Sequence, residues 1–211
     1  MKRRKLLLVI PIILIVGCAN TASAYSPSPP FSKFFEDFYP GQEDMWHYIN
    51  CYPTDTSVTY ADMFLAANVA YRSSIELAVG VEVTFSSTAI RRIAADFRIT
   101  GYLLGLTLFS TNSIDVRVAF FKWTWHIFWW SWDLVGDWSA YNYVINGFGS
   151  KSWSYASFHY SSPYISTAPG DYRLAVSVYI DSFWGNFGHS SGSLSSPGQV
   201  YFDSISYQVG H

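Results

Sequence analysis

The stretch Ser74-Ile75-Glu76-Leu77-Ala78-Val79-Gly80-Val81-Glu82-Val83-Thr84-Phe85 decides the fold class. Ile75, Leu77, Val79, Val81, Val83 and Phe85 take every second position, and smaller or polar residues fill the positions between them. Successive strand side chains point to opposite faces, so a period of two describes a strand with one dry face and one wet face.

Toward the C-terminus the same alternation returns in Ile93, Ala95, Phe97 and Ile99. A hairpin around Ser86-Ser87-Thr88 would set Glu82 opposite Arg92 and Glu76 opposite Arg98 on the wet face. It would also set Leu77 opposite Phe97 and Val81 opposite Ile93 on the dry one. Past Gly101 the apolar phase reads as switching to Leu104, Leu106 and Leu108, as a glycine-marked bulge requires. The turn Ser110-Thr111-Asn112-Ser113 then predicts a second hairpin, with Leu108, Leu106 and Leu104 facing Val116, Val118 and Phe120. Tyr172, Leu174, Val176, Val178 and Ile180 form another half-buried strand after the turn Ala168-Pro169-Gly170. Gly185 to Gly198 reads as a surface loop, and Gln199 to Val209 as a closing strand. Many short strands with Gly and Pro turns predict an all-β fold, an antiparallel β-sandwich or jelly roll spanning residues 74–211. Within it, Val200-Tyr201-Phe202-Asp203-Ser204-Ile205 resembles the last strand of jelly-roll carbohydrate-binding modules; no functional residue follows from so short a match.

Toward the N-terminus, Phe31, Phe34, Phe35 and Phe38 recur at the spacing of one helical face, so a short N-terminal helical segment is expected before Pro40-Gly41. Residues 42–73 fit two readings, a helix capped through Thr59 and Asp62 or a strand built on Tyr60, Val69 and Tyr71. Residues 31–73 are expected to dock on the core, and the Pro- and Ser-rich residues 25–30 to act as a tether.

Lys2, Arg3, Arg4 and Lys5 precede the apolar run Leu6–Val16, the order of an export signal. That run is shorter than the roughly 20 residues a membrane-spanning helix needs. Two processing readings stand. Ala22-Ser23-Ala24 suits cleavage of a signal peptide of residues 1–24, and Ile15-Val16-Gly17-Cys18 suits a lipoprotein signal of residues 1–17 with Cys18 lipidated. Either places the mature chain outside the cytoplasm, secreted or at the cell surface, with membrane contact only through a lipid anchor. Loss of residues 1–24 leaves nine basic against fifteen acidic residues, a net charge of −6. A nucleic-acid partner needs the opposite sign. Cys51 is then left without an intrachain partner, a buried small apolar side chain or the site of an intermolecular disulfide.

Aromatic residues make up 19% of the chain and charged ones only 13%, so recognition has to come from rings and neutral polar groups. Residues 119–132, Ala-Phe-Phe-Lys-Trp-Thr-Trp-His-Ile-Phe-Trp-Trp-Ser-Trp, concentrate them. Read as one strand, the odd positions are core and the even ones partly wet, with Trp130 and Trp132 near an edge. Trp138, Trp153 and Trp184 lie beside Gly-, Ser- and Asn-rich segments. Exposed indoles beside polar groups suit the apolar faces of sugar rings, so these five tryptophans are the candidate ligand-binding residues.

No catalytic residue is assigned. The four Glu, Glu36, Glu43, Glu76 and Glu82, give no separate carboxylate pair, and the sequence has no His-Glu-x-x-His motif. No cofactor is expected beyond a structural calcium at loop carboxylates such as Asp171 or Asp203, and the five histidines lack metal-ligand spacing. The expected function is a non-catalytic protein that binds extracellular glycan or polymer. The alternatives are a self-associating subunit of a cell-surface layer or filament, and membrane or partner targeting through the Trp-rich segment.

Overall fold

The structure, a computed structural model, describes residues 30–39, 46–188 and 197–210, with backbone only at Tyr39, Trp46 and residues 67–71. The expected export segment, Cys18 and all of the expected tether except Pro30 lie outside the described residues. Ten strands account for the fold: β1 (Ser32–Tyr39), β2 (Trp46–Thr54), β3 (Ser57–Phe85), β4 (Ala89–Gly105), β5 (Thr111–His126), β6 (Trp129–Asn146), β7 (Gly149–Ser161), β8 (Ile165–Thr167), β9 (Gly170–Gly188) and β10 (Gly198–Val209). No helix occurs among the described residues.

All pairings are antiparallel, and hydrogen bonds join the ten strands into one sheet. β3 has 29 residues because it serves two sections of that sheet. Its first part pairs with β2 and β10, and residues Arg72–Phe85 pair with β1 and β9. β9 makes the same change of section, pairing through Phe183 with β3 and β5 and from Gly185 onward with β4. Trp184 sits at that corner with φ 56°, and Gly185 follows because a Cβ there would run into the Leu104 carbonyl and Asn112. The ring of neighbours β3, β10, β4 and β9 thereby closes a small barrel, and β5 and β6 extend one side of it.

The period-two reading of residues 74–85 and 172–180 holds as burial. Ile75, Leu77, Val79, Leu174, Val176, Val178 and Ile180 are all fully buried. The expected partners of these strands are wrong. β3 and β4 are not paired; the Ser86–Thr88 connection carries the chain from the β9 section to the β10 section. Glu82 therefore meets Arg173 on β9, at 2.8 Å, while Arg98 pairs with Asp203 and Arg92 with Gln208. The second expected hairpin is also absent, since β5 lies between β6 and β9. Leu103 is the buried leucine, and Leu106 and Leu108 are exposed. The irregularity near Gly101 exists, but its extra residue is on β7, where Tyr155 has φ 51°, so β4 keeps its phase.

The N-terminal helix is a strand. In β1 the register shifts between Lys33 and Phe35, so Phe34 is an extra residue. Phe38 then aligns with Ile75 on the buried face, and Phe35 with Ala78 on the outer one. The bulge resets the alternation and imitates helical spacing. Residues 46–54 and 57–73 are strand as well, joined by a turn at Asp55-Thr56, and β3 runs across position 73 without a break.

Cys51 packs against the core, and burial pushes its thiol up to about 11, so it is protonated at neutral pH. Asp171 accepts from Thr84, and Asp203 is held by Arg98. Among the described residues no group of three His, Cys, Asp or Glu is placed to hold a metal ion.

Candidate functional site: an aromatic strip on a projecting hairpin

β5 has its core face at even positions: Ile114, Val116, Val118 and Phe120 are fully buried. The assignment of odd positions to the core is thus reversed, and Phe121, Trp123 and Trp125 lie on the outer face. β6 reaches the same face by a different route. Its register with β5 shifts between Gly136 and Leu134, leaving Val135 as the extra residue. The shift moves even positions of β6 from the inner face, where Trp138 aligns with Val118, to the outer one. There Trp132 aligns with Trp123 and Trp130 with Trp125. The bulge and the turn at Ile127-Phe128 are the two devices that gather the indoles.

β5 pairs with β9 only as far as Lys122, and beyond it β5 and β6 continue as a two-stranded ribbon. Its rings touch in sequence: Trp132–Trp123 at 5.1 Å between centroids, Trp123–Trp130 at 5.8 Å and Trp130–Trp125 at 5.3 Å. The first and third contacts are tilted by 48° and 52°, as the twist of an isolated ribbon requires. Trp125 and Trp130 remain about half exposed, at 53% and 52%.

At the inner end of this row an open hollow of about 210 Å³ is lined by Phe34, Phe35, Phe121, Trp132 and Arg173. The β1 bulge turns Phe34 and Phe35 toward it, and Phe35 meets Phe121 edge-on at 6.3 Å. The Arg173 guanidinium lies 4.5 Å from the Phe34 ring and 4.2 Å from the Trp132 ring while Glu82 holds it from the side. Contacts of this kind contribute roughly 0.5–2 kcal/mol each, enough to fix the height of the Trp132 ring above the sheet.

The opposite face of the ribbon is polar apart from Trp129, which stacks on His126. Asp133 accepts from the Ser131 hydroxyl at 2.8 Å and lies 3.0 Å from His126 Nε2, and these bonds hold its carboxyl below the usual range. A lowered folded value means the stabilisation is complete above the ordinary Asp pKa near 3.9 and is lost as the pH falls through the lower folded value. The circular-dichroism couplet of the paired indoles is therefore expected to stay constant from neutral pH to about pH 4 and to weaken below it. In Asp133→Asn the weakening below pH 4 should disappear.

Of the five tryptophans singled out from sequence, Trp130 and Trp132 are in the strip. Trp138 packs edge-on against Phe120 from the inner face, and Trp153 is 5% exposed within the core, its N–H bonded to the Tyr141 hydroxyl at 3.0 Å. Trp184 stacks on Phe183 at the corner, with its buried indole N–H lacking a partner among the described residues. Trp123, Trp125, Phe34, Phe35, Phe121 and Arg173 were not among the expected site residues. Their sequence signal is the set of cross-strand Trp pairs, visible only once residues 119–132 are folded about Ile127-Phe128.

A second aromatic row crosses β2, β3, β10 and β7 on the outer face of the barrel, through Tyr52, Tyr60, Tyr201 and Tyr155. Tyr52, Tyr60 and Tyr201 are stacked face to face, and Tyr201 donates to Gln199, so their flat faces are spent on one another.

No family model matches the chain, and no curated protein matches it. Among solved structures, the enzymatically active domain of tailspike protein 4 of bacteriophage CBA120 aligns with 89% of this chain at 9% identity and a TM-score of 0.24. The aligned part is 19% of the tailspike chain, and a likeness of that size bears on neither fold nor function.

Proposed function

We propose that this chain is an extracytoplasmic, non-catalytic protein that binds a single polysaccharide chain along the strip from Phe34 through Trp132 to Trp125. The observation that carries this reading is the continuity of the strip. A hollow floored by rings, with Arg173, held by Glu82, on its wall, opens directly onto a stepped row of indoles on the same face. Sugar rings lay their apolar faces on indoles, and their hydroxyl oxygens accept hydrogen bonds from a guanidinium. Tilts near 50° on either side of the near-parallel Trp123–Trp130 pair leave no single plane along the whole row, which favours a soluble chain whose residues rotate along its length over a flat crystalline polymer surface. The finer description of the fold as a sandwich is supported by rings of β6 and β7 meeting without strand pairing, as Tyr141 does with Phe158 at 4.2 Å.

The test is electrophoresis through gels carrying soluble polysaccharides of several linkages, beside sedimentation with crystalline cellulose. Retardation by at least one soluble glycan and none by the crystals is expected; free migration in every gel would refute the reading.

Self-association is the second reading, favoured by the 18-residue strand β6, which among the described residues pairs with β5 alone. An unpaired strand edge is a template for a strand from another copy. Light scattering then shows assemblies that grow with concentration, and a monomer at all concentrations would exclude it.

A further inference from the structure

The apex of the ribbon is not accounted for by glycan binding. Ile127 and Phe128 form its two-residue turn and are 81% and 83% exposed. Two-residue hairpin turns usually carry Gly, Asn or Asp at positions with positive φ; here neither residue has positive φ, and both are strongly apolar. Such side chains in water gain nothing for the folded chain, and the branched aliphatic Ile127 offers no plane to a sugar.

Chemistry changes in order along the ribbon. Ile127 and Phe128 are at the tip, Trp129 (58% exposed) follows beside His126, then the Trp125–Trp130 rung, then Thr124 with Ser131, then the Trp123–Trp132 rung, then Lys122 with Asp133. Over the outermost rungs the apolar tip comes first and the exposed indoles next, the order in which a bilayer changes from acyl chain to head group; farther in, polar pairs and indoles alternate. Three rungs at about 3.3 Å each reach roughly 10 Å, the depth to which interfacial elements bury their apolar face.

The chain path points the same way. Ser32 aligns with Gly80, Gly80 with Ala175 and Ala175 with Ala119, while β5 runs from Ala119 toward the apex. Pro30 therefore leaves the sheet at the end from which the ribbon projects. A chain held at a bilayer through the residues before Pro30, as the lipidated-Cys18 reading has it, presents the apex to that same surface. The ribbon has no basic cluster, since Lys122 is matched by Asp133 in the adjoining strand, so attraction to anionic head groups is not the driving force.

We propose that the β5–β6 apex is a wedge that places Ile127 and Phe128 in the interfacial layer of a zwitterionic phospholipid bilayer, with Trp125, Trp129 and Trp130 at head-group depth.

The experiment mixes the full chain with vesicles of phosphatidylcholine carrying bromine near the glycerol end or at the acyl terminus, and reads quenching of tryptophan emission. Because quenching requires contact with the acyl chains, it reports the ribbon whatever else tethers the protein. Strong quenching by the shallow bromines and weak quenching by the deep ones is expected. The pair Ile127→Asp and Phe128→Asp, with melting temperature and gel retardation unchanged, should reduce the quenching at least about tenfold in effective affinity. Absent quenching, quenching unaltered by the pair, quenching confined to vesicles with added phosphatidylglycerol, or stronger quenching at the acyl terminus would each overturn the wedge. Retained gel retardation in the same variant keeps this outcome separate from that of the glycan strip.

Discussion

Phe120→Ala is expected to lower the free energy of unfolding by about 3–5 kcal/mol, while Phe121→Ala next to it costs roughly 1 kcal/mol or less. Phe120 is fully buried between Gly136 of β6 and Leu174 of β9, with the rings of Trp138 and Tyr172 set edge-on at 6.3 and 6.5 Å. Those neighbours are fixed by backbone pairing on both sides, so the space left by the ring cannot close, and a cavity is added to the lost transfer energy. Phe121 faces outward onto the hollow and loses mainly its edge contact with Phe35. Urea denaturation of both variants measures the difference. Equal costs, or a larger cost for Phe121, would mean that the two faces of β5 have been exchanged.

Trp132→Ala is expected to weaken polysaccharide binding about thirtyfold, and Trp123→Ala with Trp132→Ala to abolish measurable retardation. Trp132 belongs to both halves of the site: one contact fixes Arg173 over the hollow and another joins the indole row. Truncating it breaks the strip in the middle and releases the Arg173 guanidinium from one of its two rings. Neither Trp123 nor Trp132 is in the buried core, so the melting temperature should fall only a few degrees. Trp153→Ala gives the opposite signature, a loss of about 3–5 kcal/mol of stability with binding unchanged at temperatures where the variant is folded. If Trp153→Ala alone abolished binding, the site would lie on the barrel.

What the sequence made legible was burial along each strand taken singly. Leu174, Val176, Val178 and Ile180 alternate without interruption because nothing is inserted into that part of β9, and the structure buries all four. Partner choice was not legible. Glu82 has the same charge complement in Arg92 as in Arg173, and only the crossing of β3 and β9 between sections, set by long-range closure of the barrel, selects the second. Faces were misread wherever an extra residue resets the alternation: Phe34 in β1, Val135 in β6 and the Tyr155 region of β7. Gly136 beside Val135 and Gly101 opposite the β7 bulge mark an irregularity without saying which strand carries the extra residue, and the Ile127-Phe128 turn carries no turn-forming residue. The aromatic segment therefore read as one strand, and half of its strip was assigned to the core.

The most direct measurement of the binding strip is the set of indole N–H resonances from the nine tryptophans, recorded while a retarding polysaccharide is added. Binding along the strip moves the signals of Trp123, Trp130 and Trp132 together with one dissociation constant and leaves those of Trp138, Trp153 and Trp184 in place. Shifts confined to Trp153 or Trp184, or a saturating titration with no indole signal moving, would contradict it.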